Sequence, residues 1–204
     1  MTEIKICGLK RPDDIDLVNR CLPEMAGFVF YPPSSRYVTF EEATILRKDL
    51  DGRIKSVGVF VDSDPKTIVE AMDSGIISMI QLHGDEDDRF IEELRKGTDA
   101  PIIQAYVIRT EEDIREANRS EADYVLLDNG KGTGKTFDWS LIGDMDRDYF
   151  LSGGLSLENI GEAIERLEPF AVDVSSGVET NGMKDADKVC AFIEKVRRMN
   201  GSVL

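Results

Sequence analysis

The chain has 204 residues, 41% of them hydrophobic, with 40 acidic and 25 basic side chains and a formal net charge of -15. That length supplies one substantial core, and α/β barrels of this size run as a single domain. So acidic a balance argues against a nucleic-acid or anionic-membrane surface, yet backbone N–H groups and one or two local arginines can still hold an anionic small molecule. Cysteines 7, 21 and 190 form no CxxC and leave one over in any disulfide scheme, so free thiols in a reducing compartment are expected. The N-terminal MTEIKICG lacks the layout of a signal peptide, and no run approaches about 18 apolar residues, so a soluble cytoplasmic protein is expected.

Short apolar runs alternate with amphipathic charged stretches along the chain. The runs are IKIC (4–7), AGFVF (26–30), KSVGVF (55–60), IISMIQL (76–82), PIIQAYVI (101–108), DYVLLD (123–128), YFLSG (149–153) and FAVDVS (170–175). Most are continuous rather than alternating, as expected of strands covered on both faces. Helical patterns lie between them. RPDDIDLVNR carries Pro12 at an early helical position, and Thr39 to Glu42 has capping-box spacing. SDPKTIVEAM, GDEDDRFIEELRK, RTEEDIREANR and the short FDWSLIGDM follow. SLENIGEAIERL then aligns Leu157, Ile160, Ile164 and Leu167, and KDADKVCAFIEKVRRM aligns Val189, Phe192, Ile193 and Val196, each on one apolar face. Strand ends fall about 22 to 30 residues apart, the size of a compact strand–helix unit. Eight such units without a linker predict one (β/α)8 barrel over residues 1–204, a doubly wound sheet being the alternative.

A barrel this short has little room for insertions, so binding groups belong at the C-terminal strand tips. Those tips carry Cys7 and Gly8, Arg36 in YPPSSRYV, Gln81 and the single histidine His83, Asp128, then Gly153 and Gly154, and finally Ser175, Ser176 and Gly177. The SGG and SSG turns follow the seventh and eighth runs, where barrels most often hold a phosphate, and a short helix beginning near Ser176 would add its positive end. Gly and Ser also serve plain tight turns. GKGTGKTF (130–137) is not a P-loop, because Asn129 stands where GxxxxGK[ST] needs glycine; Gly130, Gly132 and Gly134 suit a pliant loop beside the mouth instead.

Asp128 closes an apolar run, either as a turn former or as a carboxyl whose pKa its neighbours raise, which suits a general acid. Cys7 and Asp128 come from the first and sixth runs and would face each other across the mouth. Arg36 would grip a carboxylate bidentately, or else form a surface ion pair. His83 orients a ligand or is a hydrogen-bonded structural histidine. Cys21 and Cys190 fall in helical patterns as packing residues, and Trp139 anchors a loop on the sixth helix. One histidine and scattered carboxylates lack metal-ligand spacing.

KICGL (5–9), SSRYV (34–38), VGVFV (57–61), QLHGDE (81–86), LLDN (126–129), GTGKTFDW (132–139), SGGL (152–155) and DVSSGVE…G.KD (173–185) together resemble the phosphoribosylanthranilate isomerase family of tryptophan biosynthesis, over nearly the whole chain. The resemblance implies an Amadori rearrangement of a phosphorylated anthranilate riboside without a cofactor. It makes Cys7 the general base, Asp128 the general acid and Arg36 the holder of the anthranilate carboxylate, with the SGG and SSG turns on the phosphate. Monomers and homodimers both fit it. The chain departs at Ser35 and Asn181, where the family commonly has proline, which bears on loop stiffness more than on chemistry. A similar barrel acting on a histidine-pathway aminoaldose uses paired aspartates, and Cys7 argues against that version. Another phosphosugar isomerase or epimerase would leave Cys7, Asp128 and Arg36 without roles. A non-catalytic binding barrel is the remaining alternative.

Overall fold

The computed structural model describes residues 1–130 and 138–201. Eight parallel strands close in chain order into one barrel: β1 (Glu3–Cys7), β2 (Met25–Val29), β3 (Lys55–Phe60), β4 (Met79–Leu82), β5 (Ile102–Val107), β6 (Tyr124–Asp128), β7 (Tyr149–Leu151) and β8 (Ala171–Val174). The (β/α)8 architecture is the one expected from the spacing. Around it lie α1 (Pro12–Cys21), α2 (Phe40–Asp49), α3 (Pro65–Asp73), α4 (Asp88–Arg95), α5 (Glu111–Arg119), α6 (Ile160–Leu167) and α7 (Ala186–Gly201). Their starts follow local chemistry. Pro12 stands in the first turn of α1, where its missing N–H costs nothing, and Thr39 and Glu42 close a reciprocal capping box on α2. The sixth unit departs from the expected helix. Trp139–Asp144 forms a 3-10 helix, its first turn held by the Asp138 carboxylate accepting from the Ser140 N–H. Six residues including Gly143 are too few to sustain an α-helix, and the tighter turn spans the gap to β7.

Every strand is buried on both faces, and alternate residues enter two separate cores. Ile4, Ile6, Phe28, Ile80, Leu127 and Val172 join the helices in the outer shell. Met25, Val57, Met79, Ile103, Leu126, Phe150 and Ala171 fill the barrel interior. The register preserves this division: Val57 lies opposite Met79, Leu126 opposite Phe150, and Phe150 opposite Ala171. On β1 the same alternation sends Lys5 and Cys7 inward. Lys5, opposite Met25 and Asp173 in register, is fully buried, and its Nζ lies 2.9 Å from Asp173 Oδ2.

Thr2 meets the last turns of α7 where β8 pairs with β1. Thr2 and Asn200 exchange hydrogen bonds at 2.8 and 3.0 Å, and the Thr2 hydroxyl donates to the Pro169 carbonyl. Barrel closure also sets α1 against α7, where Cys21 and Cys190 form a disulfide with a Cα–Cα distance of 5.8 Å. This corrects the expectation of three free thiols, because a contact made across 169 residues follows from ring closure rather than from spacing. Cys7 is the free cysteine. Among the described residues no helix is long and apolar enough to cross a membrane.

Phe150 is fully buried and ringed by Tyr124 and Phe170 at the floor of the barrel. Phe150→Ala is expected to lower unfolding stability by about 3–5 kcal/mol. Urea unfolding at constant m-value measures this, and a loss below about 1 kcal/mol would mean that the interior layer is not a packed core.

Candidate active site

The site begins at the last residue of β1. Cys7 is buried, 8% exposed, against Val29 and Val59 at the C-terminal end of the barrel. Gly27 faces it across the β1–β2 pairing, and a Cβ there would fall 2.9 Å from Cys7 Sγ. Gly8, at φ +81°, turns the chain out of the strand in a conformation that favours glycine. A side chain on Gly8 would meet Arg36 Cδ at 2.3 Å, so the Arg36 stem lies over the turn that follows Cys7.

Arg36 is already paired. Its Nε and Nη2 donate to the two carboxylate oxygens of Glu179 at 2.7 and 2.8 Å, leaving the Nη1 edge of the fork to other acceptors. The partner is buried in the mouth rather than on the surface, and a second cation shares it: Lys184 Nζ donates to Glu179 Oε1 at 2.7 Å and to the Ser175 carbonyl at 3.0 Å. Burial alone would raise the Glu179 carboxyl, but the hydrogen bonds from Arg36 and Lys184 outweigh it and hold the group at about 2. Burial lowers the Lys184 ammonium against the pull of Glu179.

Glu179 and Lys184 stand opposite each other on a small hairpin, β9 (Glu179–Thr180) and β10 (Met183–Lys184), which sequence reasoning missed. Its two-residue turn is Asn181–Gly182, at φ 53° and 73°, the signature of a type I′ turn. Proline cannot adopt positive φ, so Asn181 is the residue this turn requires and leaves the hairpin sharply defined.

Beneath Cys7 lies a third cation, also missed. Burial would lower the Lys5 ammonium, but the charges of Asp173 and Cys7 carry it above its ordinary value. Burial likewise pushes the Cys7 thiol up. The Lys5 charge draws it down, Asp173 adds to the rise, and Lys184 opposes it; the net direction is upward. Strand parity was the available signal, since Lys5 is two residues before Cys7 and must share its face.

Asp128 ends β6, three strands from β1 around the ring. Its Oδ1 accepts from the Asn129 N–H at 2.7 Å, and its Oδ2 lies 3.5 Å from His83 Nε2. The buried Gln81 amide contacts His83 Nδ1 at 2.8 Å. His83 is thus held between Gln81 and Asp128 at the barrel mouth. Gly153 presses against the same carboxyl, since a Cβ on it would sit 2.5 Å from Asp128 Oδ1.

The loops after β7 and β8 are interlocked. Gly153 and Gly154 have φ of 81° and 69°, and a Cβ on Gly177 would fall 1.9 Å from the Leu155 carbonyl. The short helix expected near Ser176 is a 3-10 turn, Ser176–Val178. The Ser175 hydroxyl is committed within the protein, donating to the Cys7 carbonyl at 3.0 Å. The loop expected beside the mouth over 131–137, with Gly132 and Gly134, lies outside the described residues. Among the described residues no group of three or more His, Cys, Asp or Glu side chains is arranged to hold a metal ion.

A family model described as N-(5'phosphoribosyl)anthranilate (PRA) isomerase matches residues 4–195. A protein of Endomicrobium trichonymphae named N-(5'-phosphoribosyl)anthranilate isomerase is 41% identical over 204 residues, covering 98% of this chain and all of its own length. The solved phosphoribosyl anthranilate isomerase of Thermotoga maritima is 38% identical, with a TM-score of 0.88 over 97% of this chain and 100% of that one. A further solved phosphoribosyl anthranilate isomerase, in complex with reduced 1-(o-carboxyphenylamino)-1-deoxyribulose 5-phosphate, is 37% identical with a TM-score of 0.86 over the same shares.

The Arg36–Glu179–Lys184 cluster should leave a pH signature. A carboxyl held at about 2 rather than the ordinary 4.5 contributes stability that is complete above 4.5 and is lost as pH falls toward 2. Glu179→Gln is therefore expected to lower Tm at neutral pH, with the gap to the parent protein narrowing steadily from pH 4.5 to pH 2. Thermal melts across that range measure it, and a gap independent of pH would contradict the charged anchor.

Proposed function

The chain belongs to the N-(5'-phosphoribosyl)anthranilate isomerase family, and from that premise we propose how its mouth carries out the reaction. The protein converts N-(5'-phosphoribosyl)anthranilate to 1-(2-carboxyphenylamino)-1-deoxyribulose 5-phosphate, an Amadori rearrangement in tryptophan biosynthesis. The substrate carries three features for the site to recognise: a phosphate, an aromatic carboxylate, and a ribose ring joined through C1′ to nitrogen.

In this reading Asp128 is the general acid. It gives a proton to the furanose ring oxygen as the C1′–O bond breaks, and the nitrogen lone pair forms the C1′=N bond of a Schiff base. Cys7, as thiolate, takes the proton from C2′, and the electron pair left behind moves through C1′ to neutralise the nitrogen. The resulting enolamine tautomerises. C1′ gains a proton and the C2′ hydroxyl loses one, so the ketose product has the composition of the substrate.

The observation that carries this assignment is the placement of an acid and a thiol on opposite sides of one barrel mouth. Cys7 ends β1 and Asp128 ends β6, and both residues are buried. His83, fixed by Gln81, faces the Asp128 carboxyl and orients it. Arg36 stands over the Cys7 turn with one edge of its fork occupied by Glu179 and the Nη1 edge available to the anthranilate carboxylate. Among the described residues no hydrogen bond uses the N–H of Gly153 or Gly154, which suits them, with Ser176 and Gly177, to the phosphate oxygens. Ser175 contributes from the same loop while its hydroxyl ties β8 to β1.

Cys7→Ser and Asp128→Asn are each expected to reduce kcat by about 10²–10⁴-fold in a folded protein. Arg36→Met should act chiefly on KM. The assay follows the loss of fluorescence of freshly made N-(5'-phosphoribosyl)anthranilate and the appearance of the carboxyphenylamino product. Turnover near the parent rate in either of the first two variants would remove the role given to that residue.

A further inference from the structure

A cysteine base needs positive charge nearby, because an ordinary thiol is largely protonated near neutrality. Cys7 is also buried, which opposes ionisation further. No histidine stands beside it; the single His83 lies on β4 and faces Asp128. The charged groups that do face Cys7 come from every polar element around it. β1 supplies Lys5, β8 supplies Asp173, the hairpin supplies Lys184 and Glu179, and the loop after β2 supplies Arg36. β2 and β3 contribute Gly27, Val29 and Val59, which carry no charge.

These groups form two ion pairs and one additional cation. Asp173 neutralises Lys5, and Glu179 is shared between Lys184 and Arg36. Three cations stand against two carboxylates, leaving one positive charge in excess around Cys7. Lys5 is fully buried, and its contact with Asp173 is close but poorly directed: Lys5 Nζ and Asp173 Oδ1 are both without a well-aligned hydrogen-bond partner. A buried ammonium with donors to spare beside a thiol is an arrangement that strengthens when the sulfur becomes negative.

We propose that Lys5 and Lys184 are positioning residues for the isomerisation, two buried cations that flank Cys7 and favour its thiolate over its thiol, with Asp173 and Glu179 holding each cation in place. The proposal rests on the base role given to Cys7. It adds that one cation comes from below, on the same strand, and the other from above, on the hairpin. Asp173 then has a double part: it fixes Lys5, and its own charge opposes the thiolate.

That double part gives opposite signs to neighbouring variants. Thiolate ultraviolet absorbance is titrated on substrate-free protein in a Cys21→Ser, Cys190→Ser background, where Cys7 is the one thiol. Lys5→Met and Lys184→Gln should each move the titration up by about one pH unit or more, whereas Asp173→Asn should move it down and Lys184→Arg should leave it near the parent value. The acidic limb of the kcat/KM profile should follow the titration, with kcat falling more than KM rises. A merely structural role would lower Tm without moving the titration. An unmoved titration in the folded lysine variants, or an upward shift in Asp173→Asn, overturns the proposal; if Lys5→Met does not fold, Lys184→Gln and Asp173→Asn decide. Titrations that move as expected with an unchanged rate would remove the base role of Cys7 and leave the cation pair standing.

Discussion

The ion pair between Lys5 and Asp173 marks the level at which the barrel changes character. Below it the interior is apolar, built from Met25, Val57, Met79, Ile103, Leu126, Phe150 and Ala171. Above it stand Cys7, Arg36, Asp128 and the glycine- and serine-rich turns after β7 and β8. A buried ion pair is a weak source of stability, since desolvation of both charges offsets most of their attraction. Its value here is positional. It joins the first and last strands, opposite each other in register, at the seam where the ring closes. It also sets a charge immediately beneath the thiol.

Backbone periodicity turns that seam into a site. With a period of two, Lys5 and Cys7 share the inward face of β1 while Ile4 and Ile6 pack toward the helices. A shift of one residue would bury Ile6 at the mouth and deliver the thiol to the outer shell. Close packing sharpens the selection: Gly27 leaves room for Cys7, Gly8 for Arg36, Gly153 for Asp128 and Gly177 for Leu155. Each glycine lets a neighbouring reactive group or loop come close, so the small residues around the mouth specify its shape as much as the polar ones do.

Much of this was legible in the sequence. Continuous apolar runs revealed strands covered on both faces, and their even spacing revealed the ring. Strand tips then isolated Cys7, Arg36, Gln81, His83 and Asp128. What stayed hidden has physical causes. Lys5 reads as an ordinary charge at a strand start until Cys7 fixes the parity. Glu179 and Lys184 depend on a hairpin whose strands are two residues each, too short to show any period. Asn181 looked like a departure from a stiff loop, yet positive φ makes it the stiff choice. The Cys21–Cys190 bond needs the ring to be closed before its partners can meet.

Closure also makes neighbours of residues that lie far apart in sequence. Thr2 and Asn200 are hydrogen-bonded neighbours beside the start of β1, at the pole of the barrel opposite the mouth, and the disulfide ties α1 to α7 around the same seam. Topologically the described chain behaves as a loop with a nick in it. Chain order around such a loop is a matter of where the nick falls, which favours circular permutation through a short bridge between the two ends. A neighbouring domain carried at that pole would hang from the base of the barrel and leave the substrate's approach open.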